Sequence, residues 1–343
     1  MKRILVPLDG SLFAEQALPL AAVIAARQGG EIVLLTAVSA GDRWGGRPPA
    51  QWHTEEQAAA GAYLQTVAEG LRDKGARART RVDWQEAADA ISSAAEQEAA
   101  GFIVMTTHGR SGLSRWVLGS VADKVLRTAS TPLILIRPVT DTPPPKTLHR
   151  ITVALDGSKL AEAAIPEAER LARTMGASLL LVRAVVPAAL VYGAEGVPGA
   201  LPVLGEVENQ ARRYLERTAA RLRKKRNVEV SLDVSVGAAA EVILEASRRN
   251  QSDLISITTH GRSGLERVVF GSVADAVVRH SELPVLVIRS WSKPRRHREA
   301  AVPVAGDAVV PAPVLTETEQ AVPSPRLHRG EPRRQRPERS PGR

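Results

Sequence analysis

A segment of roughly 150 residues occurs twice in this chain, and that duplication limits the fold more than any other feature. Arg3-Ile4-Leu5-Val6-Pro7-Leu8-Asp9-Gly10-Ser11 corresponds to Arg150-Ile151-Thr152-Val153-Ala154-Leu155-Asp156-Gly157-Ser158, 147 positions later. Thr106-Thr107-His108-Gly109-Arg110-Ser111-Gly112-Leu113 recurs letter for letter at Thr258 to Leu265, 152 positions later. Each copy of this second motif leads into Gly-Ser-Val-Ala-Asp, at Gly119 to Asp123 and at Gly271 to Asp275. Solenoid repeats run to about 20–50 residues, so a period this long means tandem domains. The step from 147 to 152 puts a net insertion of five residues in the second copy, between its second and fourth strands.

Within the first copy, short apolar runs alternate with amphipathic stretches. Residues 3–8, 31–38, 76–82, 101–105 and 133–136 read as strands. Between them, helical spacing appears after Ser11, over 55–74, over 86–98 and over 119–128, with Gly29-Gly30 ending the first helix. The second copy places strands near 150–155, 178–186, 228–234, 253–258 and 284–289. Strands that are apolar throughout and separated by helices imply a parallel sheet covered on both faces. Right-handed crossovers then give a doubly wound α/β fold of five strands per copy. The expected domains are residues 1–138 and 149–290, joined by a stiff linker, 139–148, carrying Pro143-Pro144-Pro145. Residues 291–343 hold 9 of the 23 prolines and the Arg333, Arg334, Arg336, Arg339 cluster, and are expected to be a disordered basic tail.

Composition narrows the function classes. Aromatic residues make up 3% of the chain, so the cores must be aliphatic. Cysteine is absent, which removes thiolate chemistry and Cys-ligated zinc. The N-terminal apolar run is too short for a signal peptide, and no run reaches the roughly 20 apolar residues of a spanning helix. The expectation is a cytoplasmic protein without a membrane partner. Of the net charge of +9, the tail from Trp291 on supplies +5, so the body is not basic enough to argue for a nucleic-acid-binding fold.

In doubly wound sheets, ligands sit beyond the carboxyl ends of the strands where strand order reverses. Asp9 and Asp156 end the first strands there, and the Thr-Thr-His-Gly loops end the fourth. Gly109 and Gly112 let backbone N–H groups approach an anion, and Gly119-Ser120 opens a helix whose N-terminus favours phosphate. Ser120 with Asp123 reads as a capping box. Asp9 suits ribose hydroxyls or a base edge rather than phosphate. Gly261, Gly271, Ser272 and Asp156 take the same parts in the second copy. Simpler readings stand beside these. Asp9 and Asp156 can order an Asp-Gly-Ser turn, His108 and His260 an intraloop hydrogen bond, and Arg110 and Arg262 can be solvated charges. Trp44 and Trp52 fall in an expected exposed loop.

With these motifs the chain resembles a tandem universal stress protein. Adenine-nucleotide-binding members of that family carry Gly, two residues, Gly, nine residues, Gly and then Ser or Thr. Gly109 and Gly119-Ser120 match, as do Gly261 and Gly271-Ser272, while the first glycine falls on Thr106 and on Thr258. A threonine there either crowds a nucleotide or donates to it. The resemblance implies a Rossmann-like fold and a regulatory role in stress response. It also implies ATP or AMP as ligand, with or without magnesium. Asp9 and Asp156 match the family's acidic contact, and Ala37 and Ala184 the position whose backbone meets the base. The family's glycine turn before the third helix matches Gly237 in the second copy and Gln85 in the first. The resemblance further implies pairing of Leu133–Ile136 with Val285–Ile288 inside one chain, with a homodimer and an unidentified protein partner left open. No Walker loop, nucleophile or base cluster points to an enzyme. Three readings follow: a nucleotide-binding regulator, a partner-docking module with vestigial loops and, last, an enzyme of a related α/β class such as an adenylating ligase.

Overall fold

A computed structural model describes residues 3–38, 49–108, 118–138, 147–186, 200–226, 228–259 and 270–289. The first copy runs β1 (Arg3–Pro7), α1 (Leu12–Glu15), α2 (Leu18–Arg27), β2 (Glu31–Ala37), α3 (Pro49–Arg72), β3 (Ala78–Asp83), α4 (Ala87–Gln97), β4 (Ala100–Thr106), α5 (Ser120–Thr128) and β5 (Leu133–Ile136). The second runs β6 (Arg150–Ala154), α6 (Lys159–Glu162), α7 (Ala164–Met175), β7 (Ser178–Val185), α8 (Ala200–Arg226), β8 (Val230–Val236), α9 (Ala239–Arg249), β9 (Leu254–Thr258), α10 (Ser272–His280) and β10 (Val285–Ile288). The added residues of the second copy fall between β7 and β8, as the offsets require. The tail from 291 and most of the linker lie outside the described residues.

Each copy orders its strands 3-2-1-4-5, and the two join in one ten-stranded sheet, β3-β2-β1-β4-β5-β10-β9-β6-β7-β8. All pairs are parallel except β5 with β10, which are antiparallel, with Leu286 opposite Ile134. The carboxyl ends of the two strand sets therefore point to opposite edges. Alternation along each strand feeds two apolar layers. Ile4, Leu34, Phe102, Leu181 and Leu286 face the layer that includes α2 and α7. Leu5, Val33, Ile103, Leu180 and Val285 face the layer that includes α4, α5, α9 and α10. Arg170 of α7 ties the copies together: its guanidinium lies 4.2 Å from the Phe102 ring centroid and donates to the Gly101 carbonyl at 3.2 Å.

Three local expectations change. The helix after Ser11 is broken in both copies, because Pro19 and Pro166 lack an N–H and cannot continue a helix from the preceding turn. The chain closes a one-turn helix capped by Ser11 or Ser158, then restarts with the proline inside the first turn. Helix α3 begins at Pro49, so Trp52 lies in a helix rather than a loop, while Trp44 lies outside the described residues. The expected capping boxes are absent, because Gly119 and Gly271, not the serines after them, are the N-cap residues.

The copies clamp β3 and β8 to the neighbouring helices with inverted charge. Glu98, past α4, receives Arg3, Arg79 and Arg81. At the equivalent place Asp233 of β8 accepts from Arg249 at 2.7 Å and Asn250 at 3.1 Å. Burial acts to raise the Glu98 pKa, but hydrogen bonding and charge from the arginines prevail and hold it below the ordinary carboxylate range. Folding thus favours ionised Glu98. Its contribution is complete above the unfolded pKa of about 4.3 and fades as pH falls through the lower folded value. Glu98→Gln is expected to cost about 2 kcal/mol at pH 7. In urea titrations the gap from wild type should close towards pH 3; a gap independent of pH would show that charge is not its source.

A buried hydroxyl offers the opposite test. Ser256 is fully buried, and its Oγ has no hydrogen-bond partner among the described residues. Its counterpart 152 positions earlier is the equally buried Val104. An unpaired buried hydroxyl is destabilising. Ser256→Ala is therefore expected to raise stability by about 1 kcal/mol, read as a higher melting temperature.

Candidate functional site

Strand order reverses between β1 and β4, and the chain leaves both strands at that point. Beyond β1, the Leu8 N–H donates to the Leu35 carbonyl at 2.8 Å, and Asp9 follows. Asp9 Oδ1 accepts from the Ser11 N–H at 3.0 Å and from the Ser11 hydroxyl at 2.6 Å. Ser11 Oγ in turn accepts the Ala14 N–H at 3.1 Å. Gly10 makes the turn possible with φ +83°, where a side chain would be strained. The second copy repeats this: the Ser158 N–H donates to Asp156 Oδ1 at 2.8 Å, and Gly157 has φ +89°. The turn-ordering role of both aspartates is thus present in the structure.

At the end of β4, two buried threonines fasten the loop. The Thr106 hydroxyl donates to the His108 carbonyl at 2.8 Å, and Thr107 Oγ1 lies 3.0 Å from His108 Nδ1. The Thr107 N–H donates to the Ile136 carbonyl at 2.8 Å, while its own carbonyl accepts the Gly119 N–H at 2.9 Å. Thr259 bridges Ile288 and Gly271 in the same way, at 3.0 and 2.8 Å.

This bridging overturns the capping box. Because the Gly119 N–H is drawn to the Thr107 carbonyl, Gly119 itself is the extended N-cap residue and Ser120 is already helical. Gly271 and Ser272 repeat the arrangement. Neither N-cap makes a side-chain hydrogen bond. Asp123 and Asp275 turn instead to Arg127 and Arg279, with N–O distances of 2.9 and 2.8 Å. Gly119 is needed for a steric reason: a Cβ there would lie 2.8 Å from the Thr107 carbonyl oxygen.

Around the first of these turns lies a cavity of about 270 Å³. Asp9, Ala37, Thr106, Gly119 and Ser120 all line it, so the first-copy residues singled out from sequence converge, except Gly109, which is outside the described residues. Asp156, Ala184, Thr258, Gly271 and Ser272 occupy the equivalent strand ends and helix start, and Gly261 is outside the described residues. Ala87 and Ile91 of α4 and Met105 of β4 supply an apolar wall. Nothing in the sequence singles out the α4 pair, because i, i+4 apolar spacing is the same for a core face and for a ligand wall. Val121 and Ala122 also line the cavity. Together with Ser120 they hold the first-turn amides, which have no intrahelical acceptor. The turns before α4 and α9 differ: Gly237 has φ +150°, a conformation that Gln85 at the matching place does not adopt.

The model of the universal stress protein family matches residues 1–137 and again 147–289. The chain belongs to the universal stress protein family. A universal stress protein from Mycobacterium bovis is 30% identical over 191 residues, 55% of this chain and 62% of that relative, so the match spans less than two thirds of the relative's length. One from Methanocaldococcus jannaschii is 26% identical over 146 residues, covering 42% of this chain and 84% of its own. Among solved structures, a putative universal stress protein from Pseudomonas aeruginosa superposes with a TM-score of 0.61 at 21% identity, over 84% of this chain and 94% of its own. A universal stress protein from Archaeoglobus fulgidus gives 0.63 at 20%, over 84% and 98%. At these identities the likeness is one of fold. No helix among the described residues of this universal stress protein is long and apolar enough to cross a membrane. No group of three or more His, Cys, Asp or Glu among them could hold a metal ion.

Proposed function

We propose that this universal stress protein binds adenine nucleotide, ATP or AMP, as a regulatory ligand rather than as a substrate to be turned over. The observation that carries the reading is the first-copy cavity, which sets an aspartate, an apolar wall and an uncapped helix N-terminus around one space. Ala87, Ile91 and Met105 suit the faces of a purine, and Asp9 suits ribose hydroxyls. The amides of Ser120, Val121 and Ala122, with the positive end of the α5 dipole, suit a phosphate. Gly119 contributes by letting the loop and helix close on each other, since its own N–H is committed to Thr107. Where ATP arrives with magnesium, the ion travels with the phosphates.

Thr106 supports a second reading, in which the loops are structural and the fold serves to dock a partner. Its side chain is buried at the cavity wall, and its hydroxyl is spent on the His108 carbonyl. One preparation separates the two. Under the first reading, acid denaturation of purified protein releases adenine nucleotide, or added ATP raises the melting temperature with concentration. Protein that is free of nucleotide and unresponsive to both ATP and AMP would leave the docking reading in its place.

A further inference from the structure

Helix α8 carries charge that its packing does not use. It is the counterpart of α3, and contacts made by both helices fix the register between them. The Tyr214 hydroxyl donates to Glu162 at 3.0 Å, as Tyr63 does to Glu15 at 3.0 Å. Arg223 donates to the Val230 carbonyl, as Arg72 does to that of Ala78. Leu215, Ala219 and Leu222 fill the buried face, as Leu64, Ala68 and Leu71 do. The solvent faces differ. From Ala211 to Arg226 there are eight Lys and Arg against the single carboxylate of Glu216, a net +7, whereas Ala60 to Gly75 of the first copy has two against two. Arg213, Arg217, Arg221 and Lys224 are all exposed and stand where the first copy has Ala62, Thr66, Gly70 and Asp73. Spacings of four, four and three set them along one ridge, about 16 Å from end to end at roughly 1.5 Å per residue. Arg221 also reaches Glu162 at 3.4 Å. Arg213, Arg217 and Lys224 form no ion pair among the described residues.

Two ordinary uses of such charge fall short. The helix dipole favours cations only in the last turn, and Arg213 and Arg217 stand well before it. Like charges four apart destabilise a helix, and α3 makes the same packing without them. We infer that the ridge is a docking surface for the phosphate backbone of duplex DNA, bound without regard to sequence. A row of cations this long matches a partner whose negative charges repeat, and duplex DNA supplies about one per 1.7 Å of its axis. Single strands are held largely by stacking on aromatic rings, whereas Tyr214, the one aromatic residue of this segment, is half-buried with the Arg183 guanidinium 5.1 Å from its centroid. Interfacial membrane helices insert an apolar face, and the apolar face of α8 is spent on the sheet. The low net charge of the body conceals the ridge, because averaging over two copies dilutes a feature of one.

Full-length protein would be titrated onto a short fluorescein-labelled DNA duplex and followed by anisotropy over a range of salt concentrations. The ridge variant combines Arg213→Gln, Arg217→Gln and Lys224→Gln. A control of equal charge combines Arg333→Gln, Arg334→Gln and Arg336→Gln in the tail. At about 0.1 M salt the ridge variant is expected to bind about 100-fold more weakly. Its slope of log affinity against log salt should be shallower by about 2.7, three phosphate contacts at about 0.9 each. The tail control should lose less than about tenfold. The melting temperature of the ridge variant should equal or exceed that of wild type, since like charges are removed. Wild type that fails to bind the duplex at low salt would overturn the inference. So would a ridge variant with wild-type affinity and slope, or a loss in the tail control as large as in the ridge variant. Binding of wild type to phosphatidylserine vesicles but not to the duplex would assign the ridge to membranes and equally overturn it.

Discussion

Gly119→Val is expected to abolish nucleotide binding at the first site and to lower stability by about 2 kcal/mol. The added Cβ would meet the Thr107 carbonyl oxygen at 2.8 Å, and that oxygen is backbone, so no side-chain rotation can relieve the clash. The same carbonyl accepts the Gly119 N–H at 2.9 Å, so parting the two segments also removes a hydrogen bond. The start of α5 must swing away from the end of β4, spreading the walls of the cavity. Gly119→Ala should show much of the effect, because the first carbon already collides. Gly271→Val should act alike on the second copy, where the Gly271 N–H donates to Thr259 at 2.8 Å. Helix content by circular dichroism should change little, since the disturbance is confined to one helix start. Retained binding with an unchanged melting temperature would refute the assignment of this junction to the site.

Leu286→Asp is expected to be the most damaging single change in the described part of the molecule, at more than about 4 kcal/mol. Leu286 is fully buried opposite Ile134, also fully buried, where the two copies meet. A carboxylate there has no cation to pair with on either neighbouring strand. Leu286→Ala should cost about 2–5 kcal/mol and gives the milder version of the experiment. Urea unfolding followed by far-ultraviolet circular dichroism reads both. A loss below about 1 kcal/mol for the alanine variant would mean that the β5–β10 contact contributes little to holding the copies together.

The inner strands were legible because a strand covered on both faces is apolar along its whole length, as Phe102-Ile103-Val104-Met105 is. The Asp-Gly-Ser turns were legible because their chemistry is local: aspartate, glycine and serine make the whole motif within a few residues. The break at Pro19 and Pro166 was missed because apolar spacing carries on across it, although the missing N–H was there to be counted. The role of Ser120 was missed for a different reason. Serine before an apolar run is an N-cap only if the chain turns there, and the chain turns one residue earlier because of a bond to Thr107, twelve positions away. Long-range contacts of that kind leave no mark on spacing. The inverted clamps at Glu98 and Asp233 were likewise invisible until β3 and β8 were set against their helices.

The antiparallel seam between β5 and β10 has a consequence for how the protein responds to its own abundance. Two separate chains that meet through such an edge come apart on dilution, so the share that is paired rises and falls with expression. Here the partners are covalently continuous, and a short tether sets an effective concentration in the millimolar range. The paired state is therefore as complete in a cell holding a few molecules as in one holding thousands. The two halves are also made at a fixed ratio of one to one.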